Sequence, residues 1–111
     1  MPFFGIFSIV VAPFMEELFF RGFLYAALAR AQGTATSVLV TAVAFMAVHG
    51  AQLNFHWAAL LPIFLVGLVL TVVRARTRSL AASVLVHISY NATLFLMVFT
   101  ITGGFRHMDR L

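Results

Sequence analysis

Residues 57–73 read WAALLPIFLVGLVLTVV, and residues 74–78, RARTR, close them off. Backbone groups in hydrocarbon must be paired inside the segment, so a stretch of this kind is a helix or a strand of a closed barrel. Strand-like alternation is missing, and a helix needs roughly 20 residues to cross about 30 Å of hydrocarbon. The stretch is a transmembrane helix with Trp57 at one interface and Arg74, Arg76 and Arg78 at the other.

Working outward, the same character extends over nearly the whole chain. No formal charge occurs from Ala31 to Val73, and none from Ser79 to Phe105. Of the 111 residues, 63% are hydrophobic and 9% charged, against about 25% charged in a soluble domain. The apolar content excludes disorder, and the absence of Cys excludes a disulfide scaffold or a Cys-ligated metal. The net charge of +4 comes from Arg residues scattered at segment ends. They form no basic stripe, so nucleic acid is not a partner; the lipid bilayer is.

The expected fold is all-α, a polytopic transmembrane bundle of about four helices. The first runs from Phe3 to Ala31, with Pro13 as an interior kink and Gly33 as its stop. The second starts near Thr36 or Ser37, either of which can cap it, and ends at Gly50. Ala51 to His56 connect it to the third, Trp57 to Val73. The fourth, capped by Ser79, continues to Thr102 and stops at Gly103-Gly104, leaving Phe105 to Leu111 as a wet tail. No basic residue precedes the first apolar stretch, which argues against a signal peptide. No linker or repeat divides residues 1–111, so they form a single domain.

Against this background the intramembrane polar groups stand out: Glu16, Glu17, Arg21, His49, His87 and Asn91. Three charges within six residues carry a penalty on the order of 8 to 10 kcal/mol if nothing offsets them, and charges retained at that cost are functional by default. Glu17 and Arg21 are four apart with the acid on the N-terminal side, the favourable order for a pair. Glu16 points about 100° away around the helix and has no local cation. It is the candidate general base. Phe45 and His49 share one helical face, as do His87 and Asn91. His87 and Asn91 offer two donors for a developing oxyanion, each contributing roughly 3 to 4 kcal/mol when well placed. Glu16 with His49 can hold and deprotonate a water. Together these groups compose peptide-bond hydrolysis inside the membrane.

Other protease chemistries lack their residues: there is no HExxH, no pair of Asp and no Gly-x-Ser-Gly segment. Ser83 and Ser89 are expected to bond to local backbone. His56 and His107 are read as interfacial or tail residues. The Asn91-Ala92-Thr93 sequon lies in a helix and is not read as a glycosylation site. The thirteen Phe are lipid contacts and packing.

The residues Glu16-Glu17-Leu18-Phe19-Phe20-Arg21 fit EExxxR, Phe45 to His49 fit FxxxH, and His87 to Asn91 fit HxxxN. In this order on successive hydrophobic helices, over residues 13–102, they resemble the CPBP (Abi) family of intramembrane proteases, which includes the type II CAAX prenyl endopeptidases. The resemblance implies that Glu16 and His49 activate the water, that His87 and Asn91 stabilise the oxyanion, and that Glu17 and Arg21 support the site, as does Phe45. It implies a peptide or a prenylated, hydrophobic protein as substrate and no cofactor. Zinc held by Glu16, His49 and His87 is the alternative. Members of the family usually carry further helices ahead of the first motif, so upstream helices are expected to be missing here. Partner helices or a second copy would then cover the site.

Two other readings stay open: a catalytically inactive immunity or interaction module, and a proton-relay or transporter fragment with Glu16, His49 and His87 strung across the bilayer. Geometry separates hydrolysis from a relay, because hydrolysis needs the groups to converge. By the positive-inside rule Arg30, Arg74, Arg76 and Arg78 mark the cytoplasmic side. Glu16 and His49 then lie towards the opposite half, which suits a cytosol-facing site poorly. The expected location is a bacterial or archaeal cytoplasmic membrane, with several crossings.

Overall fold

The computed structural model describes residues 5–111. A first helical run, α1, is built of four consecutive pieces: Phe7–Val11 and Leu18–Leu24 are wound as π-helix, Ala12–Glu17 and Tyr25–Gln32 as α-helix. Its expected start at Phe3 lies outside the described residues. It ends at Gly33, whose φ of 85° is open to glycine without strain. Three long helices follow: α2, Thr34–Gln52; α3, Trp57–Thr77; and α4, Leu80–Ile101. Each is long and apolar enough to cross a membrane. The described residues contain no strand, and the all-α bundle of four helices holds.

Two boundaries differ markedly from the sequence reading. Neither Thr36 nor Ser37 caps α2, which begins at Thr34 directly after Gly33. The Ser37 hydroxyl instead donates to the Gly33 carbonyl one turn back. The third helix does not end at Val73. It continues through Arg74 and Arg76 and stops at Arg78 in the left-handed conformation, φ 52°. Arg is a good helix former, and the Arg74 guanidinium lies 5.6 Å from the Tyr25 ring centroid. The Arg cluster therefore marks where hydrocarbon ends, which is not where the helix ends. Pro13 is buried within α1, at the start of the α-helical piece between the two π-wound ones. The Ser79 cap holds, its Oγ accepting from the Ala82 N–H at 3.1 Å.

The packing is that of a membrane protein. Leu85, Phe23, Leu61 and Leu96 are exposed, as lipid-facing side chains must be. Beside Phe20, Phe45 and Leu70, many of the buried residues are small or polar: Ser37, Thr41, Ala42, Thr71 and Ser83 have no exposed surface. Helices in lipid gain nothing from burying Leu against Leu, and small residues let their backbones approach. Gly67 of α3 shows how close that approach is. A Cβ there would lie 2.9 Å from Cδ1 of Phe45 on α2. The helices α2 and α3 pack most extensively, while α1 and α4 meet along the pieces around Pro13 and Glu17. That brings Glu16 and Glu17 of α1, His49 of α2 and His87 of α4 to one place.

Candidate active site

The two adjacent glutamates of α1 face different surroundings. Glu17 is wholly buried, as is Arg21. Arg21 Nη1 donates to Glu17 Oε1 at 3.2 Å, the pair expected from the four-residue spacing. Its other donors are used as well: Nη2 bonds the Gly67 carbonyl at 2.8 Å and Nε the Thr71 hydroxyl at 3.2 Å. The guanidinium also lies 4.6 Å from the Phe45 ring centroid. Gly67 thus serves twice, once by leaving room for Phe45 and once by offering its carbonyl.

The Glu17 carboxylate does more than pair with Arg21. Oε1 accepts from His87 Nδ1 at 2.8 Å and Oε2 accepts from the Ser83 hydroxyl at 2.7 Å. Ser83 is therefore not engaged only with local backbone, as the sequence reading expected. It reaches Glu17 on another helix, and at 3.3 Å the Leu70 carbonyl. Ser89, by contrast, does bond back along its own helix to the Leu85 carbonyl. The reason for the difference is position: Ser83 is buried at the α1–α4 contact and Ser89 is exposed.

Glu16 stands on the open side of the same cluster. Its side chain is 31% exposed, and Oε2 lies 3.4 Å from His49 Nε2 and 3.6 Å from His87 Nε2. Both separations exceed those of a closed N–H···O bond. The second nitrogen of each ring is already engaged. His49 Nδ1 bonds the Phe45 carbonyl at 2.8 Å, and because a carbonyl only accepts, Nδ1 carries a proton. His87 Nδ1 is held by Glu17 as above. The Phe45 ring, 3% exposed, packs between these groups, with centroids 4.1 Å from His49 and 6.0 Å from His87.

A cavity of about 260 Å³ opens onto Glu16, His49, His87 and Asn91. Its remaining walls are Phe45, Pro62, Ile63, Val66, Tyr90 and Leu94, so four polar side chains converge in a mostly apolar cleft. Asn91 lines this cavity, but its Nδ2 donates to the backbone carbonyl of Ser8 at 3.0 Å. Among the residues involved, the sequence reading did not single out Ser8, Gly67 or Thr71, and it gave Ser83 no part in the site. Gly67 and Ser8 take part through their backbone carbonyls, which leave no mark in residue type. His56 and His107 lie outside the cluster.

The zinc alternative needs Glu16, His49 and His87 as one ligand set. Glu16 lies near both rings, but among the described residues no group of three His, Cys, Asp or Glu is arranged to hold a metal ion.

These features define a class: a multi-helix integral membrane protein with two carboxylates and two imidazoles gathered among its helices. The family follows from comparison with known proteins. The family model described as "Type II CAAX prenyl endopeptidase Rce1-like" matches residues 1–93, a range that contains EExxxR, FxxxH and HxxxN. The chain belongs to this family, whose members are CAAX-protease-like intramembrane endopeptidases. No curated protein matches the chain, and no solved structure does.

Proposed function

We propose that the protein hydrolyses peptide bonds within the membrane by a metal-free mechanism, with Glu16 and His49 activating the water and His87 and Asn91 binding the oxyanion. The observation that carries this reading is the placing of one half-exposed carboxylate between two imidazoles, in a cleft whose other walls are mostly apolar.

His49 donates from Nδ1 to the Phe45 carbonyl, so whenever its ring is neutral the Nε2 lone pair faces Glu16. A water in the cleft beside both has two protons, one to turn to each acceptor, and its oxygen lone pair is left for the substrate. Glu16 takes one proton as the water oxygen bonds to the peptide carbon and the C=O electron pair moves onto oxygen. The resulting oxyanion is met by His87 Nε2 and the Asn91 amide. For His87 to donate there both ring nitrogens must be protonated, and the Glu17 carboxylate at Nδ1 accompanies that charge. Arg21 in turn balances Glu17. Collapse of the intermediate breaks the C–N bond, and the proton on Glu16 passes to the leaving amine.

The apolar walls suit a hydrophobic or prenylated peptide segment reaching the cleft from the bilayer. Partner helices or a second copy would cover the open side, and a bacterial or archaeal cytoplasmic membrane is the proposed setting. A relay strung along the membrane normal draws no support from groups that converge within 3.6 Å. The test is cleavage of a panel of membrane and prenylated peptides by purified protein, with Glu16→Ala and His87→Ala beside wild type. Both variants should lose cleavage; unchanged cleavage in both would sink the assignment. Activity should survive a chelator, and a loss that zinc restores would contradict the metal-free mechanism. A correctly folded wild type that cleaves nothing would favour the inactive interaction module.

A further inference from the structure

The Ser8 carbonyl accepts from Asn91 Nδ2 across 83 positions of sequence, and the reason it is free to do so lies in α1 itself. In a helix each carbonyl is taken by the N–H four residues on, or five residues on in the π form. Four residues beyond Ser8 is Ala12, whose N–H donates to the Phe7 carbonyl instead. Five residues beyond is Pro13, which has no N–H. Neither helical register can pair the Ser8 carbonyl. In a setting without water an unpaired carbonyl is costly, and the Asn91 amide of α4 meets it.

Asn91 also lines the cavity shared by Glu16, His49 and His87. Its primary amide has two N–H donors in one plane. With one of them tied to Ser8, the plane of the amide is set by the backbone of α1. We propose that Pro13 is a positioning residue for hydrolysis: by leaving the Ser8 carbonyl unpaired within α1 it anchors the Asn91 amide, so that the remaining N–H serves the oxyanion. This rests on the oxyanion role given to Asn91 above. It makes the proline within α1 part of the site without touching substrate.

The experiment is Pro13→Ala, which restores an N–H that can take the Ser8 carbonyl in the π register and release Asn91. Peptide cleavage should fall in kcat by about 10-fold or more, within the range known for weakened oxyanion donors, with KM nearly unchanged and the thermal midpoint not lowered. Asn91→Ala should also lower kcat, and adding Pro13→Ala to it should cost nothing further, since the two act through one bond. Wild-type kcat in Pro13→Ala, or losses that add in full, would overturn the proposal. Pro13→Gly restores the same N–H and serves if the Ala variant does not fold. A readout independent of cleavage is the side-chain amide of Asn91 in ¹⁵N-labelled protein in micelles. One of its two protons should be shifted downfield and slow to exchange in wild type, and both should be ordinary in Pro13→Ala. If the amide signature is identical in both, the anchor is refuted even where cleavage is robust. If wild type cleaves none of the peptides while the signature changes as stated, the anchor stands and the protease reading fails.

Discussion

Glu16 and Glu17 are neighbours in sequence, yet their surroundings are opposites. Around Glu17 every polar partner is spoken for: Arg21, Ser83 and His87 bond its two oxygens, and none of the distances exceeds 3.2 Å. Around Glu16 there is exposure, a cavity, and contacts of 3.4 and 3.6 Å. The 100° step of a helix separates the two. A wholly buried carboxylate that accepts three hydrogen bonds is committed to holding its neighbours in place. A carboxylate with open contacts can take up and release a proton. The proposed mechanism gives the holding role to Glu17 and the reacting one to Glu16, and substitutions test that division.

The largest effect on stability is expected at Glu17. Glu17→Leu leaves the Arg21 cation buried with two weaker partners, a loss of about 3–5 kcal/mol for a broken buried pair, read from unfolding in detergent micelles. Glu17→Leu with Arg21→Met should recover much of that stability, because an apolar pair can replace a buried ionic one. Cleavage should not return with it, since His87 Nδ1 still lacks its acceptor. Recovery of cleavage in the double variant would break the distinction between the two glutamates.

Ser83→Ala removes the donor to Glu17 Oε2 and should cost about 1.5–3 kcal/mol, the range for a hydrogen bond to a charged group. Gly67→Ala comes next, at about 1–3 kcal/mol for overpacking, because its new Cβ meets the Phe45 ring at 2.9 Å. Displacing Phe45 also disturbs the carbonyl that holds His49, so cleavage should fall with stability. A Gly67→Ala protein as stable and active as wild type would show that α2 and α3 have slack at this point.

The fold was legible because long uncharged runs between Arg-bearing ends admit few other readings. Ser79 was legible as a cap because its side-chain chemistry is local. The end of α3 was not, since hydropathy reports where hydrocarbon ends and Arg continues a helix readily. Within the site, the Glu17–Arg21 pair could be read because it lies one turn apart on one helix. The His87 bond to Glu17 spans 70 positions and joins α1 to α4; no periodicity within either segment encodes it. Ser8 and Gly67 were hidden more deeply. What they contribute is a backbone carbonyl, which every residue possesses, and its availability depends on Pro13 in one case and on a close helix approach in the other.

Glu16→Gln tests the central claim most directly, because it keeps the shape of the side chain and removes its ability to accept a proton. The change should leave the unfolding free energy within about 0.5 kcal/mol of wild type, as for a partly exposed side chain outside the buried network. On a peptide that wild type cleaves, kcat should fall by about 10²–10⁴-fold, the usual contribution of a general base. Cleavage at the wild-type rate in the folded Glu16→Gln protein, or a loss of cleavage that only tracks unfolding, would contradict the account.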